Sequence, residues 1–235
     1  ASLTPLPAPR RAPAVSSYGG RLFVIGGGVW NDSGSGFYPT STNFEYDFAT
    51  GVWRSRAPLP ALVDAPGWAV DLEGIHVIGG TDLTKSNTGL DYHFVYHPES
   101  DSWETRAPTP VNGGQRAAVL DGVVHFVRPK AGDHWAYDRG SDGWVSKPPL
   151  LAALWRSAVA TYDLEMHVVG GLDGPYPDGP YPSGTHQVYN ASSGSWVLRA
   201  DMPTPRADLG LVEYRGLLVA VGGQTTSEST VVDTV

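Results

Sequence analysis

Along the chain, apolar runs of four to seven residues alternate with short clusters of Gly, Pro, Asp, Asn and Ser, and no apolar stripe of helical period extends far enough to build a helix. Four of these runs end in a glycine pair: FVIGG (23–27), HVIGG (76–80), HVVGG (167–171) and VAVGG (219–223). A fifth, HFVRP (125–129), has Arg128 and Pro129 in place of the glycines. The landmarks fall at positions 26, 79, 128, 170 and 222. A second signature follows four of them, with a Trp seven positions after a Tyr: Tyr46 and Trp53, Tyr96 and Trp103, Tyr137 and Trp144, Tyr189 and Trp196. The residues between them are turn formers, so each pair predicts a tight hairpin. Three residues past each Trp stands a base (Arg56, Arg106, Lys147, Arg199), and a Pro-containing turn comes next. Each repeat therefore predicts four strands: one after the Pro turn, one into the Gly pair, one into the Tyr and one around the Trp.

The combined motif resembles the kelch repeat, and the resemblance covers essentially the whole chain. It implies an all-β fold, a kelch-type β-propeller of four-stranded antiparallel blades, with the aromatic rings filling the space between stacked sheets. Residues 1–235 are expected to form one such domain, with repeats at about 5–57, 58–107, 108–148, 149–200 and 201–235. STVVDTV (229–235) reads as the third strand of the last repeat, and no Tyr–Trp hairpin follows it. Two outcomes fit this arithmetic: five blades with one outer strand missing, or a chain trimmed from a larger ring. Five blades is the favoured expectation. The first residues, Ala-Ser without an initiator Met, read as a processed or trimmed chain with no signal peptide.

Composition narrows the chemistry. With 29 Gly and 20 Pro, long helices have little room, while 8 Trp, 11 Tyr and 6 Phe supply core material. The absence of Cys excludes a disulfide scaffold, a thiolate nucleophile and Cys-type metal centres. It also excludes the kelch-type copper oxidases, which depend on a Tyr cross-linked to Cys. No cofactor and no metal is expected. A net charge of −8 with only 16 Lys and Arg argues against nucleic acid or an anionic membrane as partner. No apolar stretch reaches the ~18 residues of a membrane helix, so a soluble chain of open compartment is expected.

Candidate function lies in the long segments after the Gly pairs, 28–41, 81–91 and 172–184, which exceed ordinary hairpin turns. They carry Trp30, Tyr38, Asp82, Tyr176 and Tyr181. Aromatics in polar, Gly-rich loops suit sugar or peptide faces, and the plainer alternative is that they close the loops on themselves. His93, His134 and His186 each stand three residues before a repeat Tyr, where Asn43 stands in the first repeat. His76, His125 and His167 share another position, three before a Gly pair or its substitute. Equivalent positions on separate blades stand too far apart for one metal, so only the first trio stays on the candidate list, and the second is expected to pack between blades. Arg10 and Arg206 occupy one repeat position, with Arg116 and Arg156 slightly further along the first strand, and a few Arg at one mouth can hold a carboxylate. Asp64, Asp82 and Asp173 are possible acid–base partners. The leading expectation is a binding module that presents a loop rim and channel mouth to a protein or glycan. Its rivals are a small-molecule enzyme (isomerase, lyase or hydrolase) at the channel mouth, for which sialic acid epimerases of kelch type give a precedent in kind, and a structural piece of a larger assembly.

Overall fold

The computed structural model describes residues 3–30, 36–82, 84, 88–113, 116–174 and 181–225. The expected third strand at 229–235 and Tyr176 lie outside the described residues. All regular structure among the described residues is strand. No helix is long and apolar enough to cross a membrane.

Each of the first four repeats folds into one antiparallel four-stranded sheet, with its strands side by side in chain order. In the first sheet they are Ala14–Tyr18, Arg21–Ile25, Asn43–Asp47 and Val52–Arg56. The fifth repeat contributes the hairpin of Gly210–Tyr214 and Leu217–Val221. The strands divide into two compact bodies: residues 1–115 with 138–144, and residues 116–137 with 145–235.

Within the first body, the first strand of sheet one packs on that of sheet two. Between them lies a core of Ala14, Phe23, Ile25, Val63, Ile75, Val77, Phe94 and Tyr96. Within the second body, the first strand of sheet four packs against those of sheets three and five. A core of Leu120, Val127, Met166, Val168, Tyr189 and Trp196 fills the space between sheets three and four. The two-residue period of a strand explains the alternation: Ala14 and Ser16 are buried while Val15 and Ser17 face out.

The Tyr and Trp of each motif are direct cross-strand partners in sheets one, two and four. Their ring centroids stand 4.9, 4.8 and 5.3 Å apart. Each indole N–H then ties its hairpin to the preceding stretch of chain. Trp53 donates to the carbonyl of Thr4 (2.9 Å), Trp103 to Ala57 (2.8 Å), Trp144 to Ala107 (3.1 Å) and Trp196 to Pro148 (2.9 Å). In the last three cases the acceptor directly follows the base of the previous repeat, which accounts for that part of the motif. The four indoles are not equally buried, contrary to what the motif suggests. Trp196 is 6% exposed, while Trp53, Trp103 and Trp144 are half-buried.

The Gly pairs are contact points between repeats. The first glycine N–H bonds across its own sheet, Gly26 to Thr42 and Gly170 to Thr185. The second reaches the carbonyl that leads into the next repeat, Gly27 to Val63 and Gly171 to Arg206, each at 2.8 Å. A Cβ on Gly170 would lie 2.4 Å from the Arg206 carbonyl oxygen, and the residue sits at φ +66°. Gly194, in a hairpin turn, has nearly the same φ (+64°), but a Cβ there would meet nothing within 4 Å. Both Ala substitutions carry the left-handed penalty of ~1–2 kcal/mol. Gly170→Ala adds the overlap, so it should cost ~2 kcal/mol more than Gly194→Ala in urea denaturation. Equal losses would mean that the close approach is not needed.

Candidate functional site

The residue after each Gly pair exchanges backbone hydrogen bonds with the residue that leads into its own repeat. These bridges are Arg11 with Gly28, Asp64 with Thr81, Trp155 with Leu172 and Ala207 with Gln224. Each lead-in residue precedes a position of positive φ: Ala12 (43°), Ala65 (48°), Arg156 (62°) and Asp208 (52°). The bridges therefore place lead-in side chains and the segments after the Gly pairs at the same end of each sheet. Those segments were expected as loops, yet their bases are ribbons of two strands. Gly28–Trp30 pairs with Phe37–Pro39, Thr81–Asp82 with Thr88–Gly89, and Leu172–Asp173 with Tyr181–Pro182. The Gly-pair bridge starts each ribbon, a long-range effect that the polar loop composition conceals.

On these ribbons the sequence-predicted aromatics face outward. Trp30 is 57% exposed, Tyr38 52% and Tyr181 61%. Trp30 is braced by an edge-to-face contact with Phe37 at 4.5 Å, and the Arg11 guanidinium lies over the other partner of that contact at 4.4 Å. Arg11 also pairs with Asp64 at 2.8 Å, whose carboxylate is almost wholly enclosed and keeps Oδ1 without a hydrogen-bond partner among the described residues. Asp82 is buried and accepts from the N–H and hydroxyl of Thr84, which braces its ribbon.

Arg10 and Arg206 precede equivalent bridge residues, as their spacing implies, but their surroundings differ. Arg10 is half-buried and donates to the Thr42 hydroxyl at 2.8 Å with its guanidinium 5.4 Å from the Phe44 ring. Arg206 is buried and donates to the Gly222 carbonyl at 3.1 Å.

The two histidine trios join in pairs within single sheets. His76 Nδ1 meets His93 Nε2 at 2.9 Å, His125 Nδ1 meets His134 Nε2 at 2.9 Å, and His167 Nδ1 meets His186 Nε2 at 2.8 Å. His93 and His134 are buried, and His186 is half-buried. The rings that pack on the following hairpin belong to the first trio as well as the second: His93 lies 5.1 Å from Trp144 and His134 5.3 Å from Trp196, while His125 lies 5.8 Å from Tyr189. Burial, reinforced by the neighbouring His76, pushes the His93 pKa down to about 3. Burial and the nearby Lys147 bring His125 to about 4, and burial with the His125 charge brings His134 to about 3. Burial also lowers His167 and His186. Burial thus disfavours the charged form of His93, His125, His134, His167 and His186. Their signal was present in the spacing, because positions three before the Gly pair and three before the Tyr become diagonal neighbours on adjacent strands.

One cluster escaped the sequence. Asp71, Glu73 and His76 bring ligand-type atoms within 4.8 Å of one another at the turn between the first and second strands of sheet two. His76 Nε2 lies 3.2 Å from Asp71, Arg139 bonds Glu73 at 3.0 Å and also contacts Asp71, and Arg106 contacts Glu73. Burial alone would raise the Asp71 pKa, but bonds from His76 and from the Glu73 and Gly74 amides outweigh it and hold it at about 2. With two guanidinium groups on its carboxylates, the cluster is an ion-pair network.

Comparison with known proteins agrees with this architecture. No protein-family model matches the chain. Kelch-like protein 40 of Mus musculus is 25% identical over 89% of this chain and 34% of its own length. Kelch-like protein terF of Aspergillus terreus is 24% identical over 97% of this chain and 42% of its own. The chain thus spans roughly a third to two fifths of the length of these relatives. The solved structure of YjhT superposes with a TM-score of 0.82 over 99% of this chain and 84% of that one, at 16% identity. With four glycine pairs and four Tyr–Trp motifs, the chain is similar to kelch-repeat proteins over most of its length and has the fold of a kelch-type β-propeller.

Proposed function

We propose that this propeller is a protein-interaction module whose partner docks on the ribbons that follow the Gly pairs. The observation that carries the reading is the exposure of Trp30, Tyr38 and Tyr181, large rings held out from ribbons that are anchored by backbone bridges. A rigid aromatic face loses little conformational entropy on binding and dominates interfaces of this kind. A glycan is the second partner class that such rings suit, and the same array separates the two. The buried state of His93, His134 and Arg206 leaves them as supports for this surface in the reading, with Arg10 secondary at its base. On a combined peptide and glycan array, the wild-type protein is expected to select peptides, and Trp30→Ala should weaken the strongest of them by ~2 kcal/mol at an unchanged melting temperature. Retention of glycans alone would redirect the proposal to carbohydrate, and binding indifferent to Trp30 would remove the ribbons from it.

A further inference from the structure

Between sheet four and the fifth hairpin lies a cavity of about 530 Å³, lined by Val169, Ala200, Met202, Leu211 and Leu218 among others. That volume is in the ~300–1,000 Å³ range of ligand pockets. Its walls are repeat positions that are covered elsewhere. Ile25, just before a Gly pair, and Leu59, two past the carbonyl that accepts an indole, share one core with Tyr96, and Trp103 packs against it. Val127 and Leu150 hold the same two positions in the core with Tyr189 and Trp196. Val169 and Met202 come next in this series, and no Trp follows Trp196 in the sequence. On the fifth hairpin, Leu218 stands where Ile75 and Met166 pair with Tyr96 and Tyr189. Its strand is uncovered: Leu217 is 65% exposed, whereas Ile75–Ile78 is wholly buried.

The backbone at Ala200 defines what fits. At Ala57 and Ala107 the carbonyl accepts the indole N–H of the next hairpin. The N–H of each donates to the carboxylate two residues before that Trp, to Asp101 at 2.8 Å and to Asp142 at 3.0 Å. These aspartates adopt left-handed φ values of 51° and 47°, at a position where the other two hairpins have Gly51 and Gly194. Gly194 belongs to the hairpin that meets Pro148, which has no N–H to donate, and Gly51 instead accepts from the Thr4 hydroxyl at 2.8 Å. Ala200 has the amide that Ala57 and Ala107 have. It bonds His186 of its own repeat, as Ala57 bonds Asn43, but among the described residues neither an indole nor a carboxylate bonds it.

We propose that this cavity seats an Asp-x-Trp turn presented by a protein partner. The Ala200 carbonyl accepts the partner's indole N–H, the Ala200 N–H donates to its Asp, and Val169, Met202 and Leu218 close on the ring. The Met202 thioether suits that contact, because it is polarizable and free to turn onto an aromatic edge. This rests on the protein-interaction reading and names a feature that the partner carries. The cavity adjoins the ribbon end of sheet four, since the Met202 N–H bonds the Gly184 carbonyl just past Tyr181–Pro182.

The probe is the chain's own hairpin 93–106, HFVYHPESDSWETR, as a fluorescein-labelled peptide titrated against the full chain by anisotropy. In the peptide, Trp103→Ala should weaken binding at least about thirtyfold and Asp101→Asn about tenfold. In the protein, Ala200→Pro copies the natural Pro148 and removes the amide. It should abolish the difference between the peptide and its Asp101→Asn form while Trp103 stays necessary. Ala200→Pro is read alongside its melting curve, and the two peptide variants decide the matter if that protein fails to fold. No binding up to about 1 mM, equal binding of the Trp103→Ala peptide, or an Ala200→Pro protein that still prefers Asp101 would overturn the proposal. So would displacement of the peptide by an equal concentration of N-acetyltryptophanamide, which would make this a small-molecule site. Trp30→Ala should leave the titration unchanged, and loss of binding there would move the peptide to the ribbons and overturn the cavity alone. Binding here, with nothing on the array that depends on Trp30, would leave the cavity standing and remove the ribbon reading.

Discussion

Acidification from about pH 7 to about pH 4.5 is expected to remove on the order of 5 kcal/mol of stability, seen as a fall in the urea midpoint. In the folded protein His93 and His134 titrate at about 3 and His125 at about 4, against an ordinary value of 6.5. Because the folded pKa values are lowered, the unfolded chain binds more protons throughout the window between them. Stability is therefore complete above pH ~6.5 and is lost progressively as the pH falls toward 4 and 3. Each buried group loses ~1.4 kcal/mol per pH unit in that window, and one proton for each of two tightly coupled pairs gives the stated total. Asp71, held at about 2, stays ionised and does not offset the loss. The first repeat carries Phe23 and Asn43 at the two paired positions, so His125→Phe with His134→Asn copies a natural solution. That double variant should have about half the pH dependence. A urea midpoint that stays flat down to pH ~4.5 would show that the pairs are not buried as described.

The second large effect belongs to Trp196. Its ring is buried against Tyr189 and His134, both at 5.3 Å, and lies in the core with Met166 and Val168. Trp196→Ala should cost ~3–5 kcal/mol, the range for emptying a large aromatic site. Trp196→Phe keeps most of the ring but strands the Pro148 carbonyl, which should cost ~1–3 kcal/mol. Trp53 has the same cross-strand Tyr and the same type of indole bond, but it is half-buried, so Trp53→Ala should lose less than half as much. Identical losses at the two sites would show that the hairpin bond, and not burial, governs this position.

How far the chain could be read from its residues depended on the range of each interaction. The Tyr–Trp hairpins were legible because a hairpin is local, and its turn residues announce it between Tyr46 and Trp53 or Tyr189 and Trp196. The Gly pairs were legible as close approaches, since only a missing Cβ explains glycine twice at one place in the repeat. The ribbons were hidden because their register is set by Arg11, Asp64 and Trp155, some 17 residues upstream of their partners. The histidine pairs were hidden in part, since each trio repeated clearly while the link between trios needed strand register. Asp71, Glu73, Arg106 and Arg139 come from three separate turns or strand ends, and nothing in the local pattern of any one of them signals the others.

The claim that the ribbon end of the propeller is its binding face is tested most directly by two triple variants, compared against the array peptide that wild type binds best. One changes the ribbon aromatics, Trp30→Ser, Tyr38→Ser and Tyr181→Ser. The other changes apolar residues at least as exposed as Tyr38, in turns at the opposite ends of the strands, Phe48→Ser, Leu72→Ser and Leu164→Ser. The first variant is expected to lose binding by at least about a hundredfold while melting as wild type does, and the second to bind unchanged. Binding that survives in the first variant and disappears in the second would contradict that claim.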